Sequence, residues 1–406
     1  MLIMSPPTEE PARSPAGRLV SLDAFRGFDM FWIIGGDLVV RSLPKIHRST
    51  LTEGLAAQME HCDWAGFHFY DLIFPMFVFI VGASIVFSIS GMVEKVGRAA
   101  TVKRIVFRSV ILFLLGIFYM GGVADGFKNM YFVGVLQRIA VAYFFTALIF
   151  CFLSASSSSS ASPVAPKRPC GGGSSSARPV RPGINRRGLI AMIAITIVLL
   201  IGYWALMTFV PVPGVGKPTL EVPGKNLAHY LDDLYMPGKK FEGTILSTMA
   251  AVANCLLGVF AGLLLKSQNV SSQSKAYWLF GAGVTSLALG FLWAQTFPII
   301  KLLWTSSYVL VACGYSAILL AIFYQVVDIL GFQKWARPFI WVGMNPITIY
   351  IAGTIINWRR LSLRFVGGDI ATLLGTYSDF VAALVGLSLA IGLAYYLYWR
   401  QIFLRL

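Results

Sequence analysis

The chain has 406 residues, of which 57% are hydrophobic and only 13% are charged, with a mean hydropathy of +0.72. About a quarter of the residues in soluble globular proteins are charged, so this balance excludes that class and favours a chain dissolved in lipid. The formal charge of +15 does not predict nucleic-acid binding, because Lys and Arg cluster in short segments between hydrophobic runs, as topology signals do.

The hydrophobic runs predict membrane-spanning helices, each of which needs roughly 20 apolar residues. The predicted fold is all-α: a polytopic integral membrane bundle of about ten transmembrane helices, with both termini in the cytoplasm. The predicted spans are 23–42, 67–92, 105–122, 130–153, 189–210, 244–265, 276–295, 304–328, 338–357 and 373–398.

The basic residues of the connections mostly fall on one side of this threading, which the positive-inside rule identifies as the cytoplasm. Arg359, Arg360 and Arg364 fall on the other side and are an exception. The predicted cytoplasmic connections run from Glu94 to Arg108, over 154–188, from Lys266 to Lys275, and through Lys334 and Arg337.

The low-complexity segment 154–188 is rich in Ser, Gly, Pro and Arg, and such a composition cannot bury enough apolar surface to fold. We expect a disordered cytoplasmic linker there. The predicted organisation is a disordered tail over 1–17, helices 1–4 with the active-site segment over 18–153, the linker over 154–188, and helices 5–10 over 189–406.

Polar residues at membrane depth are costly and are therefore candidates for function. In the first helix, Asp23 and Arg26 can form an i, i+3 pair at the inner surface. Asp29 and Asp37 lie eight residues apart, close to two helical turns, so both should face the interior of the bundle.

The next polar segment places a histidine just before the second helix. Asp37, His61, Asp63 and Asp71 are expected to form an outer cluster, since a neutral imidazole is a good base or nucleophile and a neighbouring carboxylate can fix its tautomer. The alternative is that His61 only forms hydrogen bonds at the membrane interface. The five cysteines have no metal-ligand spacing, so we expect no metal site.

These segments resemble the heparan-α-glucosaminide N-acetyltransferase family in its short bacterial form. The motifs that carry the resemblance are Ser21-Leu-Asp23-x-Phe-Arg26-Gly27, His61-x-x-Trp64-x-Gly66 with Asp71-Leu-x-Phe-Pro75, Gly134-Val-Leu-Gln137-Arg138, Glu242-Gly243-x-x-x-Ser247, Gly258-Val-x-Ala-Gly262, Lys301-x-Leu-Trp304-x-x-Ser307-Tyr308 and Gly343-Met-Asn345. They cover nearly all of the chain outside the linker.

The resemblance implies a transmembrane N-acetyltransferase that takes acetyl from cytoplasmic acetyl-CoA to the amine of a glucosamine-type sugar on the other face. It implies His61 as the active histidine, acting as general base or as acetyl acceptor, and the position of Asp37 as catalytic. Asp71 is predicted as a further catalytic residue from its place in the outer cluster. Asp37 stands where the family has a catalytic asparagine. A carboxylate only accepts hydrogen bonds, so Asp37 would orient His61 or bind the sugar ammonium, and the oxyanion would need another donor.

The three phosphates of CoA need cations near the cytoplasmic mouth. The predicted cofactor-binding residues are Arg26, Lys103, Arg104, Arg108, Arg138 and Asn345. The arginines and the lysine could equally anchor the topology, Arg138 could instead pair with Asp29, and Asn345 could satisfy backbone groups freed by Pro346.

The implied partners are acetyl-CoA, an amino-sugar or glycan acceptor, membrane lipid and a second copy of the chain, and no nucleic acid. The implied location is the bacterial inner membrane, with the active site open to the periplasm. The rival hypothesis is a proton-coupled sugar or small-molecule transporter that uses Asp29, Asp71 and Arg138 as a relay.

Overall fold

A computed structural model describes residues 19–124, 126–154, 184–236, 239–240 and 245–403, with only the backbone of 239–240. The predicted tail 1–17 and most of the predicted linker 154–188 lie outside the described residues. The α-helices in chain order are α1 (Val20–Phe31), α2 (Asp37–Arg41), α3 (Leu43–Ile46), α4 (Thr50–Gln58), α5 (Phe69–Tyr119), α6 (Val135–Leu153), α7 (Arg186–Phe209), α8 (Leu227–Tyr235), α9 (Thr248–Lys266), α10 (Ser272–Ala294), α11 (Ser306–Phe323), α12 (Arg337–Met344), α13 (Pro346–Ile356), α14 (Trp358–Val366), α15 (Asp369–Leu374) and α16 (Ser378–Trp399).

The described residues form an all-α membrane bundle, as predicted. Seven of their helical segments are long and apolar enough to cross a membrane, and α12 with α13 passes the same test as a bent pair. A short parallel pair of strands, β1 (Tyr131–Val133) and β2 (Lys239–Lys240), joins two connections. Buried side chains from most of the long helices form the core.

The longest helix, α5, reverses direction at Gly97. Gly97 has φ 80° and ψ 171°, which is far from helical geometry. Tyr70 and Tyr119, near the two ends of α5, line the same cavity, whereas a straight helix would hold them roughly 70 Å apart. α5 therefore consists of two antiparallel helices, 69–96 and 98–119. Glycine adopts this positive φ without steric strain, so the reversal needs no separate loop.

The predicted spans 67–92 and 105–122 correspond to these two helices. The turn at Gly97 lies within the predicted connection from Glu94 to Arg108, but the rest of that connection is helical. Lys103, Arg104 and Arg108 lie within helix 98–119. Because a single glycine makes the turn, the charged residues on either side of it continue the helices.

Helix α9 packs in parallel against helix 69–96. The Asn254 side chain donates to the Pro75 carbonyl over 3.0 Å, and the Lys266 ammonium donates to the Val86 carbonyl over 3.3 Å. Small residues permit this close approach of two backbones, as is usual between membrane helices. A Cβ atom at Gly82 would lie 1.9 Å from the Cys255 carbonyl oxygen.

The first predicted span, 23–42, is a broken helix. It begins with α1, passes through a π-helical turn at Trp32–Gly36 in which Gly35 has φ 134°, and ends with α2. π-Bulges of this kind occur frequently at functional sites. Gly35 therefore interrupts the helix just before Asp37.

The predicted ninth span, 338–357, is also not a single straight helix. α12 and α13 meet at Asn345 with a bend of 83°. Pro346 causes the break, because a proline has no backbone N–H and its ring excludes the preceding turn of a continuous helix. α12 packs antiparallel to α1, with Gly343 against the Asp23 carbonyl.

The bundle has two ends. We call the end that carries His61, Tyr70 and Lys301 the histidine end, and the other the Gly97 end. The contact of Arg98 with the Ser154 carbonyl places the end of α6 at the Gly97 end as well.

We predict that Gly82→Ala destabilises the protein while Gly91→Ala does not. The new methyl group at Gly82 overlaps the backbone of α9, and such overpacking typically costs about 1–3 kcal/mol. A methyl group at Gly91 meets no atom within 4 Å. The measurement is the thermal midpoint of each purified variant in detergent. Equal midpoints for the two variants would contradict the close contact between α5 and α9.

Candidate active site

The segment between α4 and α5 holds His61, and the Asp71 carboxylate organises that segment. Asp71 lies in the first turn of α5, where the free backbone N–H groups of a helix favour a carboxylate. Its Oδ2 accepts the backbone N–H of His68 over 3.0 Å and that of Cys62 over 3.3 Å. One buried carboxylate thus caps the helix and folds the preceding loop back over it.

The other Asp71 oxygen contacts the histidine. Oδ1 lies 2.8 Å from His61 Nδ1. The Asp71 side chain is 1% exposed and the His61 side chain 43% exposed. Because an ionised carboxylate can only accept, Nδ1 carries the proton of a neutral His61, and Nε2 keeps its lone pair. The imidazole is therefore held in one tautomer at the surface of the histidine end, an arrangement that can serve as a base.

Lys301 completes the cluster. Its ammonium nitrogen lies 3.0 Å from both His61 ring nitrogens and 3.8 Å from Asp71 Oδ1. The turn that carries Lys301 is attached to the histidine segment, since the Gly66 N–H donates to the Ile299 carbonyl over 3.0 Å. His61, Asp71 and Lys301 thus meet although 240 residues separate the first from the last.

Helix α11 and the residues just before it pack against the start of α5 and hold Asp71 in place. The Tyr308 hydroxyl donates to the Asp71 backbone carbonyl over 2.7 Å. Trp304, which has a left-handed φ of 54°, packs edge-on against Phe74. A non-glycine residue with positive φ is uncommon and frequently lies near a functional site.

An apolar cavity of about 280 Å³ opens beside the cluster. His61 and Lys301 contribute polar groups to it, together with three tyrosines. It reaches along α5 from Tyr70 to Phe77, a distance of roughly 10 Å along the helix. Apolar walls with a few convergent polar groups are typical of small-molecule sites. The lining residues are Met30, Ile33, His61, Tyr70, Ile73, Phe74, Phe77, Tyr119, Val135, Leu136, Ile139, Lys301, Pro346, Ile347 and Tyr350.

Asp37 lines a second cavity of about 230 Å³, which shares Ile33, Tyr119 and Tyr350 with the first. Within the described residues no hydrogen bond joins the Asp37 and His61 side chains. The predicted cluster is therefore divided: Asp71 contacts His61 directly, whereas Asp37 lines the adjoining cavity.

The predicted cofactor-binding residues do not form one group. Lys103 and Arg104 are exposed. Arg108 lies halfway along helix 98–119, with its guanidinium 5.0 Å from the centre of the Tyr143 ring. The Arg26 guanidinium donates to Asp23 over 3.1 Å, to the Gly343 carbonyl over 3.2 Å and to Ser84 Oγ over 2.7 Å.

Arg138 lies at the histidine end, where it donates to Ser247 Oγ over 2.8 Å and lies 4.6 Å from the centre of the Trp304 ring. It does not pair with Asp29, whose carboxylate oxygens are buried without a hydrogen-bond partner among the described residues. Asn345 donates its side-chain amide to the Ile402 carbonyl over 3.0 Å. Its amide thus ties the break between α12 and α13 to the end of α16.

Cys62, His68 and Asp71 offer ligand atoms that lie within 4.8 Å of one another. Both Asp71 oxygens already accept protein hydrogen bonds, and His68 Nδ1 contacts the Glu60 carbonyl over 2.9 Å. The three side chains thus serve as hydrogen-bonding groups of the loop. Burial, together with the Asp71 charge, raises the pKa of the Cys62 thiol to about 11.

One histidine contact and the role of Lys301 were not predicted from the sequence. The His229 ring stacks on Trp64 at a centroid distance of 6.2 Å, a contact that the sequence did not predict. Lys301 begins one of the motifs that carry the family resemblance, but the sequence predicted no function for it. A lone lysine at the edge of an apolar run was the available signal, since a charged residue at that depth needs a partner.

Fold and site together define a class: an integral membrane protein of α-helices with a histidine–carboxylate–lysine cluster at the head of an apolar cavity. The heparan-alpha-glucosaminide N-acetyltransferase of Mus musculus is 27% identical to this chain over 395 residues, which cover 86% of this chain and 55% of the mouse protein. The protein of the same name from Homo sapiens is 26% identical over 399 residues, covering 84% of this chain and 53% of the human protein.

The chain thus spans about half the length of the curated relatives it matches. No protein-family model matches the sequence. The resemblance predicted from the motifs is confirmed, because both of these N-acetyltransferases are similar in sequence to this chain over most of its length.

The raised pKa of Cys62 gives a test of the loop geometry. Asp71→Asn removes a negative charge that disfavours the thiolate, so the Cys62 pKa falls and its alkylation by iodoacetamide at pH 8 becomes faster, about tenfold for each unit of pKa. Mass spectrometry of the labelled peptide measures the rate. Asp369→Asn, a change at an exposed carboxylate that does not act on Cys62, is the control. An unchanged Cys62 rate in Asp71→Asn would contradict the contact.

Proposed function

We propose that this chain is a transmembrane N-acetyltransferase that moves acetyl from acetyl-CoA to the amine of a glucosamine-type sugar. The observation that carries the proposal is the His61–Asp71 pair of 2.8 Å at the head of an apolar cavity. The names of the two relatives support both the reaction and the class of acceptor.

The proposed topology has ten crossings. It counts α1 with α2 as the first, the two halves of α5 as the second and third, and α13 as the ninth, preceded by α12 as a re-entrant helix antiparallel to α1. Basic residues such as Arg98, Lys266 and Lys275 lie at the Gly97 end, which supports a cytoplasmic location for that end under the positive-inside rule. The histidine end then faces the periplasm of a bacterial inner membrane.

In the proposed reaction His61 acts as general base. Nε2 takes a proton from the sugar amine as the amine attacks the thioester carbon, and Asp71 stabilises the imidazolium that forms. A second route forms acetyl-histidine first, with Nε2 as nucleophile. Both routes need the Nδ1–H tautomer that Asp71 imposes, so the geometry supports each of them.

Acetyl-CoA is a substrate whose donor end must reach His61 from the Gly97 end. A cavity of about 280 Å³ is too small for the whole molecule and fits the acetyl group with the end of the pantetheine arm. In this proposal the exposed Lys103 and Arg104 bind phosphate groups. Arg108, Arg26 and Asn345 lie further inside the bundle. There they support the walls of the route that the pantetheine arm would take to His61. Arg138, at the histidine end, supports Trp304 beside the acceptor.

The acceptor enters from the histidine end. The Asp37 carboxylate, 8% exposed, is suited to bind the sugar ammonium before transfer. Lipid surrounds the apolar faces of α7 and α10, which carry exposed side chains such as Val198 and Trp278. A second copy of the chain covering part of that surface is part of the same proposal.

The test uses purified protein in detergent with acetyl-CoA and glucosamine. We expect release of free thiol and of N-acetylglucosamine by the unchanged protein. His61→Ala should lower kcat by at least about 10²-fold, because it removes the general base. His47→Ala, at an exposed histidine away from the cavity, should leave kcat unchanged.

Thiol release that survives in His61→Ala would contradict the assigned role of His61. Uptake of sugar into proteoliposomes without any thiol release would contradict the enzyme and favour the transporter.

A further inference from the structure

Attack on a thioester creates a negative oxygen that the site must stabilise. The groups that do this in acyl-transfer enzymes are hydrogen-bond donors or cations aimed at the developing charge. Asp37 cannot donate when ionised, and it lies in the adjoining cavity. Another polar group that lines the first cavity beside His61 must therefore take this part.

Lys301 has the required position. Its ammonium nitrogen is equidistant, at 3.0 Å, from Nδ1 and Nε2 of His61. The two ring nitrogens are only about 2.2 Å apart, so an ammonium in the ring plane at these distances would overlap a ring carbon. Lys301 therefore lies over a face of the imidazole, where the in-plane lone pair of Nε2 remains available to the sugar amine.

The surroundings of Lys301 strengthen the electrostatic interaction of its ammonium with a nearby anion. The residue is 9% exposed, and in such a site a cation interacts with a nearby anion far more strongly than in water. The Asp71 carboxylate, 3.8 Å away, balances the positive charge. The Ala65–Ile300 backbone bridge holds the Lys301 turn against the histidine segment. The ammonium is thus preorganised before substrate arrives.

We propose that Lys301 is a catalytic residue that stabilises the thioester oxyanion; this inference rests on the proposed N-acetyltransferase function. The amine nitrogen bonds to the carbonyl carbon, the C=O electron pair moves to oxygen beside Lys301, and His61 Nε2 takes the amine proton. When that electron pair returns, the C–S bond breaks. The leaving thiolate takes the proton from His61, which gives the N-acetyl sugar and CoA thiol.

The experiment compares Lys301→Met with Lys301→Arg in steady-state assays with acetyl-CoA and glucosamine. Loss of an oxyanion-stabilising group typically lowers kcat by ~10²–10³-fold. We expect that loss in Lys301→Met with the KM of both substrates within about threefold of the unchanged protein. Lys301→Arg keeps a cation and should recover at least about tenfold of the lost kcat. Lys275→Met, a lysine at the Gly97 end, is the matched control and should keep full activity.

Thermal midpoints and CoA binding of each variant separate a folding defect from a catalytic one. If Lys301→Met lowers kcat only in proportion to lost folded protein, or raises KM with kcat unchanged, the oxyanion role is wrong. Acetylation of Lys301 during turnover, detected by mass spectrometry, would also overturn it. A protein whose unchanged form releases no thiol refutes the proposed function itself, whereas an active protein with unaffected Lys301→Met refutes only this inference.

Discussion

The site depends on one buried carboxylate. Asp71 accepts hydrogen bonds from His61 and from the backbone of His68 and Cys62, and it lies 3.8 Å from the Lys301 ammonium. A buried charge is stable only when it is paired and hydrogen-bonded. The loop, the helix start and the lysine turn are therefore not independent features, because each supplies a partner that the same carboxylate requires.

Lipid surroundings explain why the cavity lies where helices break. In a membrane, irregular backbone is tolerated only where protein or a cavity surrounds it. The π-helical turn at Trp32–Gly36 and the bend at Asn345 both border the cavities, through Ile33 and Pro346. Two interrupted helices thus leave space beside His61 that continuous helices would fill. Broken helices also mark the binding sites of many membrane transporters, so the break alone does not distinguish enzyme from transporter.

The sequence was sufficient for the class of fold and for the pairing of two site residues. Hydrophobic runs are long and unambiguous in a membrane protein, and His61 and Asp71 lie ten residues apart around a helix start, so their contact is local. Lys301 could not be placed beside them, because its position depends on a turn 240 residues away that only tertiary packing brings to the loop. The same limit applies to Asp37. Its spacing from Asp29 predicted that it faces the interior of the bundle, but the cavity that it lines could not be predicted.

The most direct measurement is a cryo-EM structure with a thioether analogue of acetyl-CoA bound. The analogue's carbonyl carbon should lie within about 4 Å of His61 Nε2, with its carbonyl oxygen about 3 Å from the Lys301 ammonium. An analogue bound with its acyl end outside the cavity, or with His61 turned away from Asp71, would contradict the assignment of this cluster to acetyl transfer.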